Sequence, residues 1–193
     1  CHMTLLTITA YIIIPVYTIL FAWGTNWFTL NFSVLGSLAD KKNLFLLWGI
    51  IVGAYFYYVL KRIIRTLPRN KKEMVFTTLA LLLLGLAVTI PYLPDSQPFH
   101  AVLHVFLSFA ASISLMISLY LVTWKLTCMN QSVYRPYFIS LMIITILSVI
   151  LFFLTGIVSS ALEIFFVLSS TFLLHKLYLK VCSPAISLRY QSF

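Results

Sequence analysis

Acidic residues are nearly absent from this sequence, with four Asp and Glu in 193 positions, and charged residues of either sign make up only 9%. A soluble domain carries roughly 25% charged residues, so that class is excluded. Hydrophobic residues reach 62% and mean hydropathy is +1.03, the balance of an integral membrane protein. Cysteine is scarce as well. Cys1 stands in the opening Cys1-His2-Met3, read as a cloning remnant outside the fold. Cys128 and Cys182 lack metal-type spacing and are expected in the cytoplasm, where disulfides are rare. The chain also lacks GxSxG, HExxH, Walker and dinucleotide motifs, so those motif-borne chemistries are absent. It has no evenly spaced arginines of a voltage sensor, no inverted halves, no internal repeat and no low-complexity tract.

What is present is a series of apolar runs. A bilayer takes about 20 apolar residues per helical crossing, and six runs qualify: Thr4 to Trp23, 43 to 60, Met74 to Tyr92, Phe99 to Trp124, Pro136 to Gly156 and Ala161 to Val181. The first contains Pro15, which neighbouring helices tolerate inside a membrane. Its start lacks the basic flank and cleavage site of a signal peptide, so it is kept as a mature helix. The expected fold is an all-α, six-helix transmembrane bundle over residues 4–182, followed by a cytoplasmic tail at 183–193.

Orientation follows from the basic residues, because short loops rich in lysine and arginine stay cytoplasmic. Lys61, Arg62, Arg65, Arg69, Lys71 and Lys72 follow the second run, Lys125 and Arg135 the fourth, and Lys176, Lys180 and Arg189 close the chain; only Lys41 and Lys42 fall on the opposite side. Both termini are therefore expected in the cytoplasm of a multi-pass cell-membrane protein. This asymmetry accounts for the net charge of +9 without a nucleic-acid partner, for which no soluble basic domain exists. The basic loop 61–72 is expected to meet anionic lipid.

With that orientation Asp40, Asp95 and Glu163 fall on the outer side, ahead of the second, fourth and sixth helices. Asp95 or Ser96 suits a helix cap before Pro98. His100 and His104 stand at i and i+4, on one face of the fourth helix. Ionisable groups at membrane depth are costly unless they pair or face a wet cavity, so they mark a candidate site. Two readings follow. One is a polar pocket for a lipid headgroup or other amphiphile, built from Asp95, His100, His104 and Glu163 with Ser37 and Asp40 from the first outer loop, and needing no cofactor. The other is a lipid hydrolase or transferase in which His100 and His104 hold zinc with Asp95 or Glu163, leaving an open position for water. His175, near the cytoplasmic end, is expected to pack or snorkel at the interface. Gly49 and Gly53 form a small-xxx-small pattern for close helix approach, and Asn31-Phe32-Ser33 is a glycosylation sequon on the outer side.

Three segments resemble a known family. "NFSVLGSLADKKNLFLLWGIIVG" resembles the first outer loop and next helix of a bacterial six-helix membrane family of unknown function. "IPYLPDSQPFHAVLH" resembles that family's proline, acid and histidine segment, and "GIVSSALEIFF" its glycine and glutamate before the last helix. The family is distantly similar to the damage-regulated autophagy modulators and the Golgi protein that remodels GPI lipids. The resemblance implies a membrane bundle concerned with lipids and points to Ser33 or Ser37, Gly36, Asp95, His104 and Glu163. Ile164 stands where that family's arginine is expected, and His100 has no equivalent there. The membrane-embedded ceramidase superfamily offers only an analogy of chemistry, since its paired histidines lie on the last helix.

Overall fold

The computed structural model describes residues 2–182; the tail at 183–193 lies outside them. The described residues are helical without strands, and six helices are long and apolar enough to cross a membrane: Met3–Phe21, Lys42–Ile64, Lys71–Thr89, Pro98–Met129, Gln131–Thr155 and Ser160–Cys182. They are called here the first to sixth spans. The expected architecture is thus present.

Local chemistry sets several boundaries. Pro15 has no N–H and its ring crowds the carbonyl four residues back, and the helix meets it with a π turn at Thr9–Ile13. Pro91 disfavours a helical conformation at the residue before it; Ile90 is accordingly extended, and the third span stops at Thr89. Gly156, left-handed at φ 70°, ends the fifth span with its N–H on the Phe152 carbonyl.

The fourth and fifth spans differ from expectation. Lys125 and Arg135 are helical, and Asn130 alone separates the two helices. Apolarity ends near Trp124, but the hydrogen-bond ladder continues while Leu126 stays buried, so the fourth helix reaches 32 residues. That is about 48 Å against a hydrocarbon core of about 30 Å. Asn130 Oδ1 then accepts from Val133 N at 3.3 Å and starts the fifth helix.

Packing closes a ring in the order second, third, fourth, fifth, sixth and back to second, with the first span braced outside the second and sixth. Gly49 and Gly53 make the second-to-third contact within the chain: a methyl on Gly49 would lie 2.8 Å from Val88 Cγ1, and one on Gly53 3.2 Å from Leu81 Cδ1. Trp48 Nε1 donates to Thr18 Oγ1 at 3.1 Å and Tyr17 OH to the Leu44 carbonyl at 2.9 Å, which hold the first span on. The buried residues of the fifth span, Tyr134, Leu141 and Ile144, all lie in its first half or at its middle; its second half is largely exposed, with Phe153 at 78%.

The loop between the first and second spans folds back over the ring. Its short helix Phe32–Gly36 buries Phe32 and Leu35, and Phe32 meets Phe21 and Trp48 at ring distances of 5.1 and 5.0 Å. Gly36 faces the Phe45 ring so closely that no Cβ fits.

Candidate functional site

The loop is latched to the sixth span by reciprocal bonds. The first N–H groups of a helix lack partners within it. Here the Leu30 carbonyl accepts from Ser160 N at 2.7 Å and the Trp27 carbonyl from Ala161 N at 2.8 Å. In return Glu163 Oε2 accepts from Phe32 N at 2.7 Å. Asn31 caps the short helix, its Oδ1 accepting from Val34 N at 2.8 Å. The Asn31 side chain is half-buried on the cavity wall.

His104 is 2% exposed. Its Nδ1 lies 2.7 Å from the Ile90 carbonyl, an acceptor left without a helical partner where Pro91 breaks the third span. Its Nε2 lies 2.7 Å from Ser33 Oγ. The Tyr92 ring stands 5.9 Å from the imidazole.

These groups form one end of a cavity of about 510 Å³. Asn31, Ser33, Tyr92, His104 and Glu163 line its polar end, and below them the second, third, fourth and sixth spans contribute Trp48, Val52, Phe56, Leu84, Leu115 and Phe166. The lining runs from His104 to Met116 on one helix and from Trp48 to Leu60 on another. Twelve residues of helix rise about 18 Å, more than half of the hydrocarbon core of about 30 Å. The wall is polar at the Glu163 end and mostly apolar along the rest, interrupted by Ser108, Ser112, Thr77 and Tyr57.

Comparison with protein-family models, curated proteins and solved structures finds no match for this chain. The site is therefore read from its own chemistry.

Of the six side chains proposed for the pocket, the structure brings His104 and Glu163 together. Ser37 lies beside it as a tie: its Oγ donates to the Ser33 carbonyl at 2.9 Å and accepts from Tyr92 N at 3.0 Å. Asp40, Asp95 and His100 are exposed and do not line the cavity. Asp95 does not cap the fourth span, whose N-cap is Gln97 without a side-chain bond. His100 sits in the first turn, above the neighbouring spans, whereas His104 one turn deeper meets the folded loop. The zinc reading needs His100, His104 and a carboxylate to converge, and no three His, Cys, Asp or Glu side chains do so among the described residues. Both nitrogens of His104 lie within hydrogen-bond distance of protein oxygens.

Two polar clusters at the other end were not legible in the sequence. His175 is 0% exposed rather than snorkelling, with Nε2 3.1 Å from Thr7 Oγ1 and Nδ1 3.0 Å from Tyr55 OH. Glu73, 2% exposed, accepts from Lys125 Nζ at 2.6 Å, and Lys125 also donates to the Arg69 carbonyl. Cys128 and Cys182 are free thiols.

Proposed function

We propose that this integral membrane protein binds an amphiphile whose headgroup donates hydrogen bonds at the Glu163 end of the cavity and whose tail lies along the apolar walls. One observation carries the reading: a single cavity joins a carboxylate without a cationic partner among the described residues to about 18 Å of largely apolar helix surface. Glu163 Oε2 is satisfied by Phe32 N, and its second oxygen accepts no bond from a described residue. A hydroxyl or ammonium headgroup supplies what that oxygen lacks, since a charge at this depth needs a partner. In this reading the tail enters from the side, past the fifth span, which stands between the fourth and sixth and is largely exposed over its second half.

The same proposal sets the polar end toward the outer leaflet of a cell membrane, with both termini cytoplasmic, because the basic residues crowd the opposite end. The basic segment 61–72 then faces the anionic inner leaflet. Kinship with the bacterial six-helix family stands as part of this proposal.

The test is saturable binding of dansyl-labelled lysophosphatidylethanolamine to the protein in nanodiscs. Wild type is expected to bind, Val52→Trp to lose binding by filling the channel, and Glu163→Gln to bind roughly tenfold less tightly, as loss of a charged hydrogen bond does. Equal binding by all three proteins would overturn the reading. Metal analysis of the same samples addresses the metal-assisted alternative: zinc bound to wild type and lost in His104→Ala would favour it.

A further inference from the structure

Binding alone leaves the Ser33 hydroxyl and the His104 imidazole without a task, although the fold holds both in one defined relation. A carbonyl oxygen can only accept, so His104 Nδ1, 2.7 Å from the Ile90 carbonyl, carries the ring proton. Nε2 is then the unprotonated nitrogen, and the Ser33 hydroxyl donates to it at 2.7 Å. A hydroxyl on a base that a third group orients is the arrangement of an activated nucleophile. Here a peptide carbonyl stands where a carboxylate orients the base in serine proteases; it fixes the tautomer and faces the imidazolium that forms, without adding a full charge. Both side chains line the amphiphile cavity at its polar end.

The same wall holds spare donors. Asn31 uses its Oδ1 as the helix cap, which leaves the Nδ2 amide free of protein partners among the described residues. Tyr92 lines the cavity too, and its hydroxyl bonds to no described residue. Donors placed where negative charge develops on a carbonyl oxygen are a main source of acyl-transfer catalysis.

We propose that Ser33 and His104 are a nucleophile and general base that cleave an ester-linked acyl chain of a lipid held in this cavity. The inference rests on the amphiphile reading and adds a reaction to it. Ser33 Oγ bonds to the ester carbonyl carbon while its proton passes to His104 Nε2, and the carbonyl oxygen takes negative charge beside Asn31 Nδ2 and the Tyr92 hydroxyl. The bond from carbon to the headgroup oxygen then breaks, and the departing alcohol takes the proton from Nε2. Water attacks the acyl-serine, giving one proton to His104, which returns it to Ser33 Oγ as the fatty acid leaves. The balance is ester plus water to acid plus alcohol. Glu163, beside the backbone of Phe32, is a positioning residue that holds the headgroup so that the ester reaches Ser33.

The test treats the full chain in nanodiscs with a hexadecyl fluorophosphonate and maps the adduct by mass spectrometry, alongside binding of the dansyl lipid. Wild type is expected to carry the adduct on Ser33, and Ser33→Ala to carry none there. His104→Gln is expected to react at least about 100-fold more slowly, the usual size of a general-base contribution. Asn31→Ala and Tyr92→Phe are each expected to slow it by about 10–100-fold, somewhat less than loss of a well-placed oxyanion donor. His100→Ala and Asp95→Asn are expected to react as wild type does. Ser33→Cys guards against misfolding, because with p-nitrophenyl palmitate it is expected to accumulate an acyl thioester. A wild-type protein that binds the dansyl lipid but forms no Ser33 adduct would overturn the nucleophile and leave the binding reading intact. A Ser33 adduct whose rate ignores His104→Gln would overturn the pair. A His104-dependent adduct without lipid binding would keep the pair and sink the binding reading.

Discussion

The two ends of the bundle use the same residue types for opposite purposes. At the basic end Glu73 is sealed against Lys125 at 2.6 Å, and His175 is wrapped by Tyr11, Tyr55 and Tyr178 with both nitrogens engaged. At the other end Glu163 has no cation among the described residues, and the hydroxyl on His104 lies on a cavity wall. His175 and Glu73 line no part of that cavity. The difference teaches that a polar group at membrane depth is a poor indicator of a site by itself. What separates the two ends is whether hydrogen-bonding capacity remains directed into open space.

Breaking the sealed end should cost stability and spare binding, while breaking the open end should do the reverse. The largest effect is expected for Lys125→Met, which leaves the Glu73 charge buried and lowers unfolding free energy by about 3 kcal/mol; denaturation in detergent measures it, and adding Glu73→Gln should restore part of the loss. His175→Ala strands Tyr55 and Thr7 around a void, for about 2–3 kcal/mol with unchanged lipid binding. Gly49→Leu drives a side chain into Val88 and is expected to cost about 1–3 kcal/mol by the same assay. Glu163→Gln is expected to change stability by less than about 1 kcal/mol, while its lipid binding weakens as described above. Smallest of all, Asp40→Asn, Asp95→Asn and His100→Ala should each stay within about 0.5 kcal/mol of wild type, with binding intact. A large binding loss in this last group would erase the distinction between the exposed carboxylates and the cavity wall.

The spans were legible because length and apolarity alone fix them, and Gly156 marks the end of the fifth; the third was read through Pro91 to Tyr92, although the steric rule at Ile90 stops it at Thr89. The extension through Lys125 was not, since helical hydrogen bonding does not stop where hydrocarbon does. For the site, the depth shared by His104 and Glu163 could be read from topology. How far the folded loop reaches down the face of the fourth helix could not, and that decided against His100, one turn above His104 on the same face. Ser33 lies 71 positions from His104 and Lys125 52 from Glu73. Such pairs depend on how a loop refolds or how two spans cross, and no periodicity records either. The family resemblance named Ser33 and Ser37 as alternatives; the fold gives Ser33 the cavity and Ser37 the tie to Tyr92.

The bonds that join the Leu30 and Trp27 carbonyls to Ser160 and Ala161 link a segment to one synthesised about 130 residues later. Until the sixth span has entered the bilayer, those carbonyls and the Phe32 amide lack the partners they have in the fold. The nascent chain therefore carries an unfastened cover until Ser160 has been made and placed, and a ribosome that stops short of it releases a product whose cover has nothing to clasp.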